Sequence, residues 1–70
     1  MNWISLERSS NLSRVRYDES TNTLEIEFHG GRVYQYFDVP AHVYEGLISA
    51  DSHGTFFNEQ IKGYYRFARV

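Results

Sequence analysis

The stretch Gly30-Gly31-Arg32-Val33-Tyr34-Gln35-Tyr36-Phe37-Asp38-Val39-Pro40 decides how this chain folds. Two glycines break the chain, an alternating run follows, and a proline closes it. Alternation with period two marks a strand carrying Tyr34 and Tyr36 on one face and Gln35 on the other. Pro40 suits the first turn of a helix. Asp38 lies just ahead of it, where a carboxylate can cap the helix or favour its dipole. The length of the glycine turn sets where the tyrosines point, because a slip of one residue turns every side chain to the opposite face.

Upstream, Ser13 to Asp18 alternates, with Val15 and Tyr17 against Arg14 and Arg16. Thr23 to His29 alternates again, with Leu24, Ile26 and Phe28 against Glu25 and Glu27. The polar loop Glu19-Ser20-Thr21-Asn22 joins them into a hairpin. A four-residue loop pairs Tyr17 with Leu24 and Val15 with Ile26. It also sets Arg16 against Glu25 and Arg14 against Glu27, and opposite charges across a pair help by roughly 0.2–1 kcal/mol each. The apolar set and the charged set therefore agree on one register.

The second turn is open to two readings. Two glycines in succession suit a two-residue primed turn, which we favour. It pairs Phe28 with Val33 and Leu24 with Phe37, and sets Tyr34 beside Glu27 and Tyr36 beside Glu25, on the charged face away from the helices. A three-residue turn would send both tyrosines into the core and turn Val33 and Phe37 outward. Gln35 counts against the shorter turn, since it would face inward beside Ile26 and a buried amide needs partners.

Downstream, Val43, Tyr44, Leu47 and Ile48 form the stripe of an amphipathic helix ending near Ala50 or Asp51. Ser52 caps a second, short helix whose buried side is Phe56, Phe57 and Ile61, with Gly63 as its stop. Tyr64 to Val70 is aromatic and basic, a fourth strand or an ordered tail. Residues 1–10 are a lead-in segment whose apolar residues are Trp3, Ile4 and Leu6. The expectation is one α+β domain over residues 1–70, a three-stranded antiparallel meander followed by two short helices.

Seventy residues bury only about 60% of the surface of the unfolded chain, so the stability margin is small. There is no cysteine, and five Phe, six Tyr and one Trp must supply the packing. The net charge of −2 and pI near 5.8 argue against bulk electrostatic binding of nucleic acid. No apolar run approaches the roughly 18 residues of a membrane span, and Met1 to Leu6 is too short and polar for a signal peptide. A soluble, cytoplasmic domain is expected.

No pattern for catalysis stands out. His29, His42 and His53 lack ligand spacing, so neither a metal nor a cofactor is expected. No serine sits in a nucleophile elbow, and Gly30-Gly31 is a turn rather than a phosphate cradle. Glu25 and Glu27 each face an arginine. Binding has more support. Tyr34 and Tyr36, if exposed, form a stacking platform for unpaired bases, with Arg14, Arg16 and Arg32 near the phosphates. Lys62, Arg66 and Arg69, interleaved with Tyr64, Tyr65 and Phe67, form a second basic cluster. The competing reading is structural, with the tyrosines in the core or covered by Trp3 or Tyr65. Glu25 and Glu27 would also repel phosphate.

The string from Phe28 through Tyr34-Gln35-Tyr36 to Pro40 resembles the centre of the KTSC domain, whose hallmark is Tyr-x-Tyr. The likeness continues through Val43-Tyr44, Ala50, Ser52-x-Gly54, Phe57-Asn58 and Ile61. It begins at Ser9-Ser10-Asn11-Leu12, with Val15 and Tyr17, and so runs from about Ser9 to Val70. The family is named for the C-terminal domain of some lysyl-tRNA synthetases and also occurs as small single-domain proteins of bacteria and their phages. The resemblance implies a domain of unestablished function, a link to RNA from the synthetase context, and no catalytic residue; its hallmark falls on Tyr34 and Tyr36. This chain departs from a simple RNA-binding picture in being slightly acidic.

The sequence thus points to a non-catalytic module for RNA or single-stranded nucleic acid, using Tyr34, Tyr36, Arg14, Arg16, Arg32, Lys62 and Arg66. The alternative is a protein-interaction or regulatory module, monomeric or weakly homodimeric. Neither reading involves a membrane, a metal or a cofactor.

Overall fold

The computed structural model describes residues 2–7 and 9–70. The elements are β1 (Ile4–Ser5), β2 (Leu12–Asp18), β3 (Thr23–Phe28), β4 (Val33–Tyr36), α1 (Ala41–Ser49), α2 (His53–Gln60) and β5 (Phe67–Arg69). The strands form one antiparallel sheet in the order β1-β2-β3-β4-β5. The expected meander is its centre. The lead-in contributes one edge strand and the C-terminal segment the other.

The first hairpin has the register that the charges and apolar residues require. Tyr17 lies opposite Leu24, Val15 opposite Ile26, Arg16 opposite Glu25 and Arg14 opposite Glu27. Both Arg–Glu pairs close as ion pairs. The loop is held by Asp18, whose carboxylate accepts from the Ser20 amide and hydroxyl at 3.0 and 2.6 Å. Those bonds hold the Asp18 carboxyl below its usual range. A register shift between Leu12 and Arg14 is a bulge at Ser13, and it lets both Leu12 and Val15 face inward, fully buried.

The second hairpin corrects the favoured reading. Leu24 pairs with Tyr36, Glu25 with Gln35, Ile26 with Tyr34 and Glu27 with Val33. The loop has three residues, His29-Gly30-Gly31. The Phe28 amide donates to Arg32 O at 2.8 Å and the Gly31 amide to Phe28 O at 3.0 Å. Gly30 therefore takes the third place of a four-residue turn, where its φ of 102° excludes most side chains, and Gly31, at 91°, is the added residue. The longer loop wins because it satisfies Gln35 and the core together. The Gln35 amide turns outward and donates to Glu25 Oε2 at 2.7 Å, while both tyrosine rings join the apolar face. Burial by itself would raise the Glu25 carboxyl, but the bonds from Gln35 and Arg16 outweigh it and hold it low.

Two helices cover the inner face. Pro40, not Asp38, is the N-cap of α1, and no side chain caps this helix. Asp38 instead adopts a φ of 60° and pairs with Arg66 at 3.0 Å. α2 begins as expected, with Ser52 Oγ accepting from the Thr55 amide at 3.2 Å. The two helices meet where α1 has no side chain, since a Cβ at Gly46 would lie 2.7 Å from the Phe56 ring. The core is Leu6, Leu12, Val15, Leu24, Ile26, Val39, Leu47 and Ile61, with Tyr17, Tyr36 and Phe57 at its margin. Tyr17 stacks on Tyr44 with centroids 4.9 Å apart, and its hydroxyl donates to Val39 O.

Candidate functional site

The corrected register brings β4 against α2 and β5, and a cavity of about 400 Å³ opens between them. Its walls are aromatic. Tyr36 meets the Phe57 ring edge to face at 5.7 Å and lies under Phe67 at 5.7 Å. Tyr34 meets Phe28 edge to face at 5.7 Å and Phe67 at 5.9 Å. Edge-to-face pairs at such distances favour one orientation by roughly 0.5–1.5 kcal/mol each, so the walls that Phe28, Tyr34, Tyr36 and Phe57 supply are preformed.

The rim is polar. Arg32 follows the glycine turn, and its guanidinium lies 5.8 Å from the Phe28 centroid. Lys62 follows α2, and Gly63, at a φ of 86°, turns the chain so that the Tyr64 amide returns to Ile61 O at 3.0 Å. Asn58 stands on α2 beside Phe57. Asn11 approaches from the loop before β2. That loop is braced by Ser9, whose Oγ accepts from the Leu12 amide at 2.9 Å and donates to Asn11 Oδ1 at 3.1 Å. A Cβ at Gly54 would lie 2.8 Å from Asn11 Oδ1, so Ser9-Ser10-Asn11 and Ser52-x-Gly54 form one packed corner of the site. No carboxylate lines the cavity.

Tyr36 is the deepest polar group, with only 6% of its surface exposed. Burial, helped by the neighbouring Tyr34 phenol, pushes its hydroxyl up to about 12. It is therefore protonated throughout the physiological range.

The residues singled out from the sequence divide among three places. Tyr34, Tyr36, Arg32 and Lys62 share the cavity. Arg14 and Arg16 are on the opposite face of the sheet, each bound to a glutamate, with Trp3 lying 4.5 and 4.3 Å from their guanidinium carbons. Trp3 thus covers the arginines and not the tyrosines. Arg66 is at the sheet's edge, on Asp38 and 5.4 Å from the Phe37 centroid. Phe67, expected in the second basic cluster, joins the cavity, and Asn11, Phe28, Phe57 and Asn58, to which sequence reasoning assigned no binding role, complete the site. Phe28 and Phe57 read as core, and only the fold shows that they line an open cleft.

The fold and the cavity define a small α+β domain that carries an aromatic cleft with a basic rim. The chain belongs to the KTSC domain family, whose model matches residues 8–65. It is 33% identical to a KTSC domain protein from Yersinia pestis whose crystal structure superposes with a TM-score of 0.91, over 99% of this chain and 96% of that one. An uncharacterized protein of Stutzerimonas stutzeri is 41% identical over 90% of both chains. A lysine–tRNA ligase of Nostoc punctiforme is 44% identical over 84% of this chain. The match spans only 10% of the ligase's length.

Proposed function

We propose that this domain is a non-catalytic binding module for single-stranded RNA, taking an unpaired base into the cavity between β4, α2 and β5. The observation that carries the reading is the pairing of preformed aromatic walls with a rim that holds Arg32 and Lys62 and no carboxylate. Aromatic faces accept any base, at roughly 1–3 kcal/mol per stacked base, and the cations meet the phosphates. The volume falls within the range of roughly 300–1,000 Å³ typical of small-ligand sites. The ligase relatives act on lysine and tRNA by name, which supports RNA as the ligand class. Neither histidine nor carboxylate lines the cavity, and Tyr36 holds its proton too tightly to serve as a base near neutral pH. Those features favour binding over catalysis.

Titration of fluorescent single-stranded RNA at low and moderate salt tests the reading. Wild type binds, and the exposed double variant Arg32→Ala/Lys62→Ala keeps its fold and loses most of the affinity. No binding by wild type at micromolar concentrations refutes it.

A second reading, pairing of two copies through β5, is favoured by that strand's exposure. All three of its residues are exposed, Phe67 to 60% although one side of its ring packs on the tyrosines. An unpaired edge is a template for another strand. A native mass spectrum with only monomer at high protein concentration would eliminate it.

A further inference from the structure

We infer that the binding unit of the cavity is a single nucleoside 5′-phosphate, with the buried Tyr36 hydroxyl hydrogen-bonded to the edge of its base. This deepens the reading given above and rests on it. Tyr36 is more than nine-tenths buried and makes no side-chain hydrogen bond among the described residues. Yet no fully buried side-chain polar atom there is left without a partner. The hydroxyl therefore reaches the open space of the cavity that its ring helps to line. A protonated phenol at the floor of an aromatic cleft is both a donor and an acceptor, and it matches the polar edge of a planar, otherwise apolar ring.

The rim sets the other end of the ligand. Among the described residues, Arg32 and Lys62 are the cations that line the cavity. Arg14, Arg16 and Arg66 are each ion-paired to a carboxylate elsewhere. Two cations neutralise one or two phosphates and not a track of them. A volume of about 400 Å³ holds one base with its sugar rather than a stack. Asn11 and Asn58 stand at the mouth, where their amides can reach the ribose or the base. The same chemistry is offered by a free nucleotide and by one nucleotide of an RNA chain, and oligonucleotide length separates these sources.

The test follows the four ribonucleoside 5′-monophosphates, ribose 5-phosphate, and RNA of three and ten nucleotides by NMR titration of the full chain. At least one monophosphate perturbs the amides of β4 and α2, and ribose 5-phosphate does not. The ten-nucleotide RNA binds within about tenfold of the three-nucleotide RNA. Its affinity falls with salt with a log–log slope between about −0.7 and −1.4, about −0.7 for each of one or two phosphates. Tyr36→Phe, which keeps the ring, weakens monophosphate binding by about three- to tenfold, the range of one neutral hydrogen bond. Three results would each overturn the single-nucleotide unit while leaving RNA binding in place: a slope steeper than about −3, a preference above a hundredfold for the longer RNA, or an unchanged Tyr36→Phe affinity. Failure of every RNA and nucleotide to bind removes both.

Discussion

Tyr36→Phe isolates what burial does to one phenol. The hydroxyl rises from an ordinary 10.0 to about 12 on folding. Because the folded value lies above the unfolded one, the protonated phenol favours the folded state. That contribution is complete below pH 10 and is lost as pH climbs towards 12. At 1.36 kcal/mol per tenfold difference in proton affinity, the loss is at most about 3 kcal/mol, and less where solvent in the cavity screens the hydroxyl. A 70-residue domain has on the order of 4–10 kcal/mol in all, so alkaline pH removes a large share. Near neutral pH the variant stays within about 1 kcal/mol of wild type, since the ring remains packed and the missing hydroxyl has no side-chain hydrogen bond among the described residues. Above pH 11 the variant becomes the more stable protein. Urea unfolding of both proteins from pH 8 to 12, with tyrosinate absorbance followed in parallel, measures the difference. Stability curves that stay parallel across that range would show that folding does not raise the Tyr36 hydroxyl, as would a tyrosinate titration identical in the two proteins.

Other outcomes follow from single contacts. Tyr17→Phe removes the donor to the carbonyl of fully buried Val39 and costs about 1–3 kcal/mol in urea unfolding, the penalty of an orphaned acceptor. Gly30→Ala costs about 1–2 kcal/mol by the same assay. Its Cβ would meet nothing within 4 Å, so the cost comes from the φ of 102° alone. Trp3, stacked with Arg14 and Arg16 on the outer face, keeps its emission unchanged when excited selectively during nucleotide titration. Quenching of Trp3 would move the ligand to the outer face.

Much of the fold was legible because local rules and pair rules agreed. The Arg14–Glu27 and Arg16–Glu25 pairs had the same register as Val15–Ile26 and Tyr17–Leu24, and both were realised. The Ser52 cap and the Gly63 stop were readable from residue type alone. The second turn misled because two adjacent glycines fit a primed two-residue loop as readily as the last two places of a three-residue one. The residue that broke the tie was Gln35. Its amide has a partner in Glu25 only in the longer loop. Asp38 misled for a different reason: a carboxylate two residues before Pro40 is placed to cap α1, but Arg66, 28 residues away in sequence, takes it instead.

Residue type and short spacing were enough for the three central strands, the two helices, the first hairpin's register and the aromatic, basic character of the chemistry, but not for the edge strand β1 or for the choice between strand and tail at β5. Tertiary structure decided which aromatics and which cations meet. Tyr34 and Tyr36 turn inward because the core and the Gln35 amide are satisfied together only that way, and their second wall comes from α2 and β5. Arg14 and Arg16 share the sheet with the tyrosines but lie across it, since side chains on opposite phases of the pleat cannot reach one cavity. Arg32 and Lys62, 30 residues apart, become neighbours on one rim because a glycine turn and a helix end close over the same strand.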